Sequence, residues 1–253
     1  MIPKTIHYCW FGKKPLPKKA LNCINSWKYY FPDYEIKLWN EDNFDVNLVR
    51  YTKEAYQMKK YAFISDYARF WIIFHYGGIY FDTDVEVIQP MNDILAQGAY
   101  MGCEIDGRDV LNGEANLNEI AVNPGSGIAA TSNLKLYKQI LDFYESLSFI
   151  NLDGTLNLTT IVKYTTDILK ENGLKNVNVI QNIGEITIYP ADYFCPIDYA
   201  TMTMTRMTKN TRTIHHFEAS WIPISWKIKK QLKRIIGKNN TTALTKIKKL
   251  FST

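Results

Sequence analysis

The feature that most constrains the fold is a short apolar segment that runs directly into two aspartates. Ile79–Phe81 follows Gly77-Gly78 and leads into Asp82-Thr83-Asp84. Upstream, the strongly apolar residues from about Lys60 to Tyr76 predict a helix, because glycines commonly follow the last residue of a helix. The pattern therefore predicts a buried helix, a turn, and a short buried strand whose end carries two carboxylates.

The first forty residues predict a β-α-β unit. Ile2–Trp10 is typical of a buried strand, residues from about Lys18 to Tyr30 place apolar side chains at helical spacing, and Tyr34–Trp39 alternates as a strand does. Such a unit indicates a parallel sheet of the nucleotide-binding kind. With 253 residues, the chain is long enough for one α/β domain with additions.

Further elements are expected downstream. Residues 104–120 are expected to be rich in loops, and Asn123–Gly127 is expected to turn. Helices are predicted from about Leu134 to Ser146 and from about Thr159 to Asn172, and strands at Val85–Ile88, Tyr100–Cys103, Val177–Ile180, Ile186–Tyr189 and Thr211–Phe217.

The two aspartates are candidates for holding a divalent cation. Carboxylate oxygens are hard ligands that suit Mg²⁺ or Mn²⁺, and such ions commonly bridge protein carboxylates to substrate phosphates. Two aspartates so spaced also arise by chance, and the alternative is a solvated turn. On the preceding helix, Asp66 and Arg69 share a face. They form either a structural ion pair or a donor site, in which Asp66 binds sugar hydroxyls and Arg69 makes a forked contact with a hydroxyl or a phosphate.

Together these residues resemble a known signature. Ser65–Arg69, Gly77–Tyr80 and Asp82–Asp84 resemble the S-D-x-x-R, G-G-x-Y and D-x-D motifs of glycosyltransferase family 32. The opening residues Ile2–Gly12 are similar to the family's first strand, and Ile214–Trp221 is similar to its late H-x-x-x-x-S-W segment. The resemblance covers residues 1 to about 90 and 211–221 well, and the middle of the chain only loosely.

The resemblance implies a GT-A-like, Rossmann-type α/β domain over residues 1–222 that binds a nucleotide sugar, with a mostly parallel central sheet. It implies catalytic roles for Asp82, Asp84 and Arg69, and a cofactor Mn²⁺ or Mg²⁺ held by Asp84, Asp82 and His215. His216 is the alternative ligand, since neighbouring strand residues face opposite sides. The implied donor-binding residues are Trp10, stacked on the base, together with Ser65, Asp66, Arg69, Tyr80, Asp82, Ser220 and Trp221.

For function, the resemblance implies a retaining enzyme that moves a sugar from a nucleoside diphosphate sugar; the expected hexose donors are UDP-galactose or UDP-glucose, with GDP-mannose as the next. The expected acceptor is a glycan, lipid-linked, in capsule or surface polysaccharide synthesis.

Two other classes stay open. A phosphohydrolase of the haloacid dehalogenase type would use Asp82 as its nucleophile, although the later acidic pair that it needs is not evident. A non-catalytic nucleotide- or carbohydrate-binding module would explain the 14% aromatic residues but not the two carboxylates.

The residues after Glu218 differ from the rest of the chain in charge. Nine of the 30 lysines and arginines follow it, so the part before them carries 21 bases against all 25 acids. Within 223–253, apolar residues recur at helical spacing with lysines between them, which predicts a basic amphipathic tail. We expect this tail to bind an anionic membrane surface; the alternative is a solvated helix packed on the domain. The acidic body argues against nucleic acid as a partner.

Cysteine spacing and hydropathy bear on the compartment. The four cysteines are widely separated, and no segment has the pattern of a signal peptide, which predicts a reduced, cytoplasmic environment. The longest apolar run, Phe70–Phe74, is too short to span a bilayer. Together with the basic tail, this predicts peripheral association with the inner face of the membrane.

Overall fold

In a computed structural model of the protein, residues 1–107, 119–198 and 201–218 are described. Met1–Phe217 forms one compact unit, and Glu218–Thr253 forms a second unit that lies almost entirely outside the described residues. The predicted boundary after residue 222 and the helical tail at 223–253 therefore stay predictions.

The first part of the compact unit confirms the β-α-β prediction and the helix before the two aspartates. In chain order its elements are β1 (Thr5–Cys9), α1 (Lys18–Tyr30), β2 (Glu35–Trp39), α2 (Arg50–Gln57), α3 (Tyr61–Tyr76), β3 (Gly78–Tyr80), β4 (Val85–Val87), α4 (Asn92–Ala96) and β5 (Ala99–Ile105).

The second part contains both predicted helices, each shorter by one or two residues at either end. Its described elements are β6 (Ala121–Val122), a 3-10 turn (Pro124–Ser126), β7 (Ile128–Ala130), α5 (Lys135–Glu145), α6 (Ile161–Glu171), β8 (Gln181–Ile183), β9 (Ile186–Tyr189), α7 (Ala191–Phe194), β10 (Ile197–Asp198), β11 (Thr203–Met204) and β12 (Thr213–His215).

The central sheet has the strand order β2-β1-β3-β7-β5-β9-β8, with β6 paired to β5. Strands β1, β2, β3, β5 and β9 run in the same direction, whereas β6, β7 and β8 run against them. The predicted α/β fold with a mostly parallel central sheet is confirmed, since five of the eight strands share one direction. The strands β4 and β12 pair with each other outside this sheet, as do β10 and β11.

The sheet separates two apolar layers. Along β3, Tyr80 packs into the layer that contains α2, α3, α5 and α6, whereas Ile79 packs into the layer that contains α1, α4 and α7. This alternation follows from the two-residue period of a strand. Helix α1 buries one stripe of apolar side chains at helical spacing, and Trp27 of that stripe donates from Nε1 to the carbonyl of Val85 at 2.7 Å.

Three element predictions need correction. The predicted strand Val177–Ile180 is not a strand, because the side chain of Gln181 bonds the backbone of Lys175 and Val177 and holds this segment as a turn before β8. The helix α2 carries few apolar residues and was not predicted. The predicted strand Thr211–Phe217 shortens to β12.

No helix among residues 1–107, 119–198 and 201–218 combines the length and the hydropathy needed to cross a bilayer.

Candidate functional site

The two aspartates lie where β3 ends and the chain turns. The amide of Asp82 donates to the carbonyl of Gly125 at 3.1 Å, and the amide of Val85 donates back to the carbonyl of Asp82 at 3.0 Å. This turn leads into β4, so Asp82 and Asp84 sit together at the edge of the sheet. Both side chains are half-buried, with 27% and 18% exposed, which leaves carboxylate oxygens accessible to a ligand.

Strand β12 brings His215 next to the two aspartates, although His215 lies 131 residues after Asp84 in the chain. It pairs antiparallel with β4, with His215 opposite Val85, and Nε2 of His215 lies 3.2 Å from Oδ1 of Asp84. One ligand atom from each of Asp82, Asp84 and His215 lies within 4.8 Å of the others. We call these three residues the DDH cluster.

The neighbouring histidine faces the other way. His216 lies one residue after His215, and its Nε2 is 2.9 Å from Oε2 of Glu86. Of the two histidines that the sequence left open, His215 is therefore the one that the structure brings to the aspartates. Opposite orientation of adjacent residues is what strand geometry requires.

The DDH cluster suits a divalent cation by its chemistry. Two carboxylates supply hard oxygen ligands, and one imidazole nitrogen completes a set that Mn²⁺ accepts readily and Mg²⁺ accepts with water in the remaining positions. Burial acts to lower the pKa of His215, but the Asp84 carboxylate overrides it and holds that pKa well above its usual range. A cation would replace this ion pair, and its binding would release the imidazole proton.

Arg69 connects the S-D-x-x-R helix to the aspartates. Its guanidinium donates from Nη1 to Oδ2 of Asp82 at 3.2 Å, from Nη2 to Oδ1 of Asp66 at 2.8 Å, and from Nε to the carbonyl of Ser65 at 3.1 Å. Only 4% of the Arg69 side chain is exposed. The Asp66–Arg69 pair is thus a buried ion pair that also binds Asp82, and its predicted contacts with the donor stay predictions.

The burial of this ion pair has an electrostatic consequence. Burial, opposed by Arg69 and reinforced by Asp82, raises the pKa of the Asp66 carboxyl to about 7. Removing one partner of such a pair would leave a buried charge without compensation, which typically costs several kcal/mol. The helix α3 and the aspartate turn are thus held together by charge as well as by packing.

Tyr80 fixes the other oxygen of Asp82. Its hydroxyl donates to Oδ1 of Asp82 at 3.0 Å, and the ring is almost fully buried beneath the guanidinium of Arg69, at 5.1 Å. The side chain thus acts on Asp82 in this structure, rather than presenting its ring to open space. A direct donor contact by Tyr80 stays a prediction.

Trp10 follows β1 at the same edge of the sheet. Because β1 and β3 are parallel neighbours, their carboxyl ends meet, and the Cys9 thiol lies against Tyr80 and Ser65. Trp10 is half-buried and donates from Nε1 to the carbonyl of Lys14 at 2.6 Å. Its place at the same edge of the sheet as Asp82 suits the predicted contact with the base. The predicted donor residues Ser220 and Trp221 lie outside the described residues.

Three site residues were not predicted from the sequence. Asn123 donates from Nδ2 to Oε2 of Glu104 at 2.8 Å, and the same nitrogen lies 3.4 Å from Nδ1 of His215. Gly125 lies against Asp82 so closely that a Cβ there would be 2.2 Å from Oδ2. The segment Asn123–Gly127 carried a turn signal, but only its contact with the aspartates shows its importance.

Comparisons with known proteins agree with this site. The family model described as "Glycosyltransferase sugar-binding region containing DXD motif" matches residues 17–101, which include Ser65, Asp66, Arg69, Tyr80, Asp82 and Asp84. Inositol phosphoceramide mannosyltransferase 1 of Schizosaccharomyces pombe is 27% identical over 111 residues, covering 40% of this chain and 33% of that protein. Inositol phosphoceramide mannosyltransferase 3 of the same organism is 29% identical over 108 residues, covering 40% and 29%. The chain thus spans about a third of the length of the curated relatives it matches.

Three solved structures are similar in overall arrangement. The PaToxG glycosyltransferase is 19% identical, over 67% of this chain and 69% of that chain, with a TM-score of 0.48. A glycosyltransferase involved in the glycosylation of the major capsid of PBCV-1 is 11% identical, over 91% of this chain and 100% of that chain, with a TM-score of 0.46. The galactosyltransferase LgtC, in complex with donor and acceptor sugar analogs, is 16% identical, over 85% of this chain and 88% of that chain, with a TM-score of 0.38. These TM-scores are below 0.5 and support no statement about the site. The match over residues 17–101 does: this part of the chain is similar to the glycosyltransferase sugar-binding region that contains a DXD motif.

Proposed function

We propose that this chain is a metal-dependent glycosyltransferase that uses a nucleoside diphosphate sugar. The observation that carries the proposal is the DDH cluster, in which Asp82, Asp84 and His215 converge within 4.8 Å although His215 lies 131 residues after Asp84 in the chain. The match to a glycosyltransferase sugar-binding region covers both aspartates and supports the same conclusion.

The residues of the chain have separate tasks in this proposal. Asp82, Asp84 and His215 hold a cation, which would balance the negative charge that develops on the leaving diphosphate. Arg69 and Tyr80 each bind one oxygen of Asp82, so the carboxylate is oriented before substrate arrives. Such preorganisation favours the transition state, because less reorganisation is needed during the reaction.

The reaction is the exchange of one bond at the anomeric carbon. The bond from that carbon to the diphosphate oxygen breaks, a bond to the acceptor hydroxyl oxygen forms, and the hydroxyl proton passes to the departing phosphate. The resemblance to a retaining family supports a same-face displacement with an α-linked product.

The substrates follow from the resemblance and from the relatives. UDP-galactose and UDP-glucose are the proposed donors, and the two S. pombe relatives, which are named mannosyltransferases, make GDP-mannose the next candidate. The proposed acceptor is a glycan, lipid-linked, in capsule or surface polysaccharide synthesis. We propose that the enzyme works at the cytoplasmic face of a membrane, with the basic residues after Glu218 bound to anionic lipids.

The phosphohydrolase alternative fits the site less well. Its nucleophile would be Asp82, but both oxygens of that carboxylate accept hydrogen bonds, one from Tyr80 and one from Arg69. A charge-assisted hydrogen bond to each oxygen stabilises the anion and lowers its reactivity toward phosphorus. The geometry favours a ligand role for Asp82.

The decisive measurement is the release of nucleotide from UDP-glucose, UDP-galactose and GDP-mannose in the presence of Mn²⁺. We expect turnover with at least one donor, loss of turnover on chelation, and a loss of at least a hundredfold in kcat for Asp84→Asn, because this change removes a charged ligand from the cluster. Asp33→Asn, at an exposed turn, is the matched control and should leave turnover unchanged.

Two results would count against the proposal. Turnover that is equal with and without divalent ions would remove the cation from the reaction. Phosphate release from an aryl phosphate, in the absence of nucleotide-sugar turnover, would favour the phosphohydrolase.

A further inference from the structure

A patch of positive charge lies at the surface of the compact unit where β1 ends and α3 begins. Its members belong to two neighbouring segments, the loop after β1 and the turn before α3: Lys13, Lys14, Lys59 and Lys60. We call these four residues the lysine patch. The two segments are in contact, because Tyr61 packs so closely against Gly12 that a Cβ on this glycine would lie 2.4 Å from Cε2 of the ring.

The charge of the lysine patch is not compensated by ion pairs. In the part of the chain that the structure describes, no carboxylate forms an ion pair with any of its four ammonium groups. By contrast, three lysines on α5 and α6 each pair with a carboxylate: Lys138, Lys163 and Lys170. Glu41, the acid that contacts the loop after β1, accepts a hydrogen bond from the amide of Gly12 at 2.7 Å. The patch therefore sets four positive charges against one carboxylate that already has a partner.

An exposed apolar side chain accompanies these lysines. Met58 directly precedes Lys59, and 43% of its surface is exposed. Lysines beside an exposed apolar residue are typical of surfaces that bind the interface of a bilayer, where the ammonium groups contact lipid phosphates and the apolar group enters the headgroup region. A soluble phosphate would use the lysines but would leave Met58 in water. The combination therefore favours a membrane over a soluble anion.

The lysine patch lies at the edge of the sheet that also bears the two aspartates. Strands β1 and β3 are parallel neighbours, so their carboxyl ends meet, and the loop after β1 starts at the same edge as the turn that carries Asp82. Helix α3 begins at this edge too, because Ser65 near its start contacts the Cys9 thiol at the end of β1. A membrane bound through the patch would therefore lie on the side of the molecule where the DDH cluster opens.

We propose that the lysine patch, together with Met58, binds the surface of an anionic membrane. Each uncompensated lysine near such a surface gains favourable electrostatic free energy, and the sum over four lysines gives a bound orientation rather than loose attraction. The choice of a membrane as the partner rests on the proposed function, in which the acceptor is lipid-linked. The positive charge and the exposed methionine do not, since they follow from the compact unit alone.

The first test is sedimentation of the full chain with vesicles of phosphatidylcholine and phosphatidylglycerol. Changing all four lysines of the patch to glutamine should lower the affinity for these vesicles at least tenfold. The matched control removes the same charge from α5 and α6, by changing four other lysines to glutamine: Lys135, Lys138, Lys163 and Lys170. It should leave the affinity within twofold of the wild type. The patch is then changed in a full chain in which four bases after Glu218 are already glutamine: Lys229, Lys230, Lys233 and Arg234. There, the remaining sedimentation should fall to the level seen with phosphatidylcholine alone.

The second test asks whether the patch touches lipid directly. All four native cysteines are buried, so an environment-sensitive thiol dye reacts selectively with Met58→Cys in the full chain. We expect the emission of this dye to shift to shorter wavelength when vesicles containing phosphatidylglycerol are added, because position 58 then enters the headgroup region. Asn182→Cys is the control, since residue 182 is exposed on β8, at the opposite edge of the sheet from β2. Its dye should show no shift.

Several outcomes would overturn the inference. Equal losses of vesicle affinity in the patch variant and its matched control would mean that only net charge matters. A dye at position 58 that does not respond to vesicles would mean that the patch does not touch lipid. So would a chain with an intact patch that loses all vesicle binding once the bases after Glu218 are changed. A patch variant that binds vesicles normally but binds UDP or GDP at least tenfold more weakly would assign the lysines to a soluble nucleotide.

These results are independent of turnover. Vesicle binding through the patch without turnover of any nucleotide sugar would refute the proposed function and leave the membrane surface standing. Turnover in a chain whose patch does not bind vesicles would refute only the membrane surface.

Discussion

At the scale of single residues, the candidate site depends on how Asp82 is held. Three neighbours fix it: Arg69 and Tyr80 through its carboxylate, and Gly125 through its amide. Each neighbour comes from a different element, so the orientation of the Asp82 carboxylate depends on how α3, β3 and the turn after β6 pack together. The free energy of cation binding should therefore be sensitive to changes that leave the carboxylate itself intact.

Gly125→Ala tests this dependence. The added Cβ would meet Oδ2 of Asp82 at 2.2 Å and Nη1 of Arg69 at 2.8 Å, so the aspartate must move. We expect the affinity for Mn²⁺, measured by calorimetry, to fall at least tenfold. Leu152→Ala is the control, because the side chain of Leu152 is fully exposed and is remote in sequence from the site. An unchanged Mn²⁺ affinity in Gly125→Ala would show that the aspartate turn adapts without cost.

At the scale of elements, His7 ties three of them together. Its Nε2 lies 3.0 Å from the carbonyl of Gly77, at the end of α3, and its Nδ1 accepts from Nε1 of Trp39 at 3.0 Å, at the end of β2. These two bonds require the neutral ring with its proton on Nε2. A second proton on Nδ1 would break the bond from Trp39.

This arrangement predicts a loss of stability in acid. Burial lowers the pKa of His7 to about 4, against about 6.5 in an unfolded chain, so the unfolded state takes up the proton first. The contribution of His7 is therefore complete above pH 6.5 and is lost as the pH falls through 4, and it amounts to about 3 kcal/mol. The difference in unfolding free energy between wild type and His7→Gln should shrink over this range.

Denaturant unfolding at a series of pH values checks this prediction. His75→Gln provides the comparison, since His75 lies exposed near the end of α3. A difference between wild type and His7→Gln that stays constant from pH 7 to pH 4 would mean that the ring is not held neutral.

At the scale of the whole molecule, charge is distributed unevenly along the chain. All acids lie at or before Glu218, and nine bases lie after it. If the residues after 222 bind an anionic surface, the full chain should sediment with vesicles of phosphatidylcholine and phosphatidylglycerol and not with phosphatidylcholine alone. Changing Lys229, Lys230, Lys233 and Arg234 together to glutamine should reduce this binding at least tenfold, because each base near such a surface contributes about 1 kcal/mol.

A matched change in the body is the control for the vesicle experiment. Four lysines lie at the surface of the compact unit, Lys163 and Lys170 on α6 and Lys135 and Lys138 on α5, and changing them to glutamine should leave vesicle binding unaltered. Equal loss in the two variants would point to net charge rather than to the segment after residue 222.

The sequence by itself determined the local order of elements at the site. Apolar helix, paired glycines, short strand and aspartates follow one another in the chain, and each signal depends only on neighbouring residues. For the same reason α1 was predicted at about Lys18–Tyr30, where the structure has it, whereas α2, which buries only Tyr51, Thr52 and Ala55, was missed. The two aspartates and the charged pair on α3 could likewise be read from the chain.

Only the tertiary structure decided which distant residues complete the site. His215 reaches Asp84 because β12 pairs with β4, and His216 is excluded because it faces Glu86. Asn123, Glu104 and Gly125 join the site because β5, β6 and the turn after β6 pack against the aspartates. Contacts between residues far apart in sequence depend on which strands pair and how the layers pack, and no local pattern of hydrophobicity or turn residues encodes that choice.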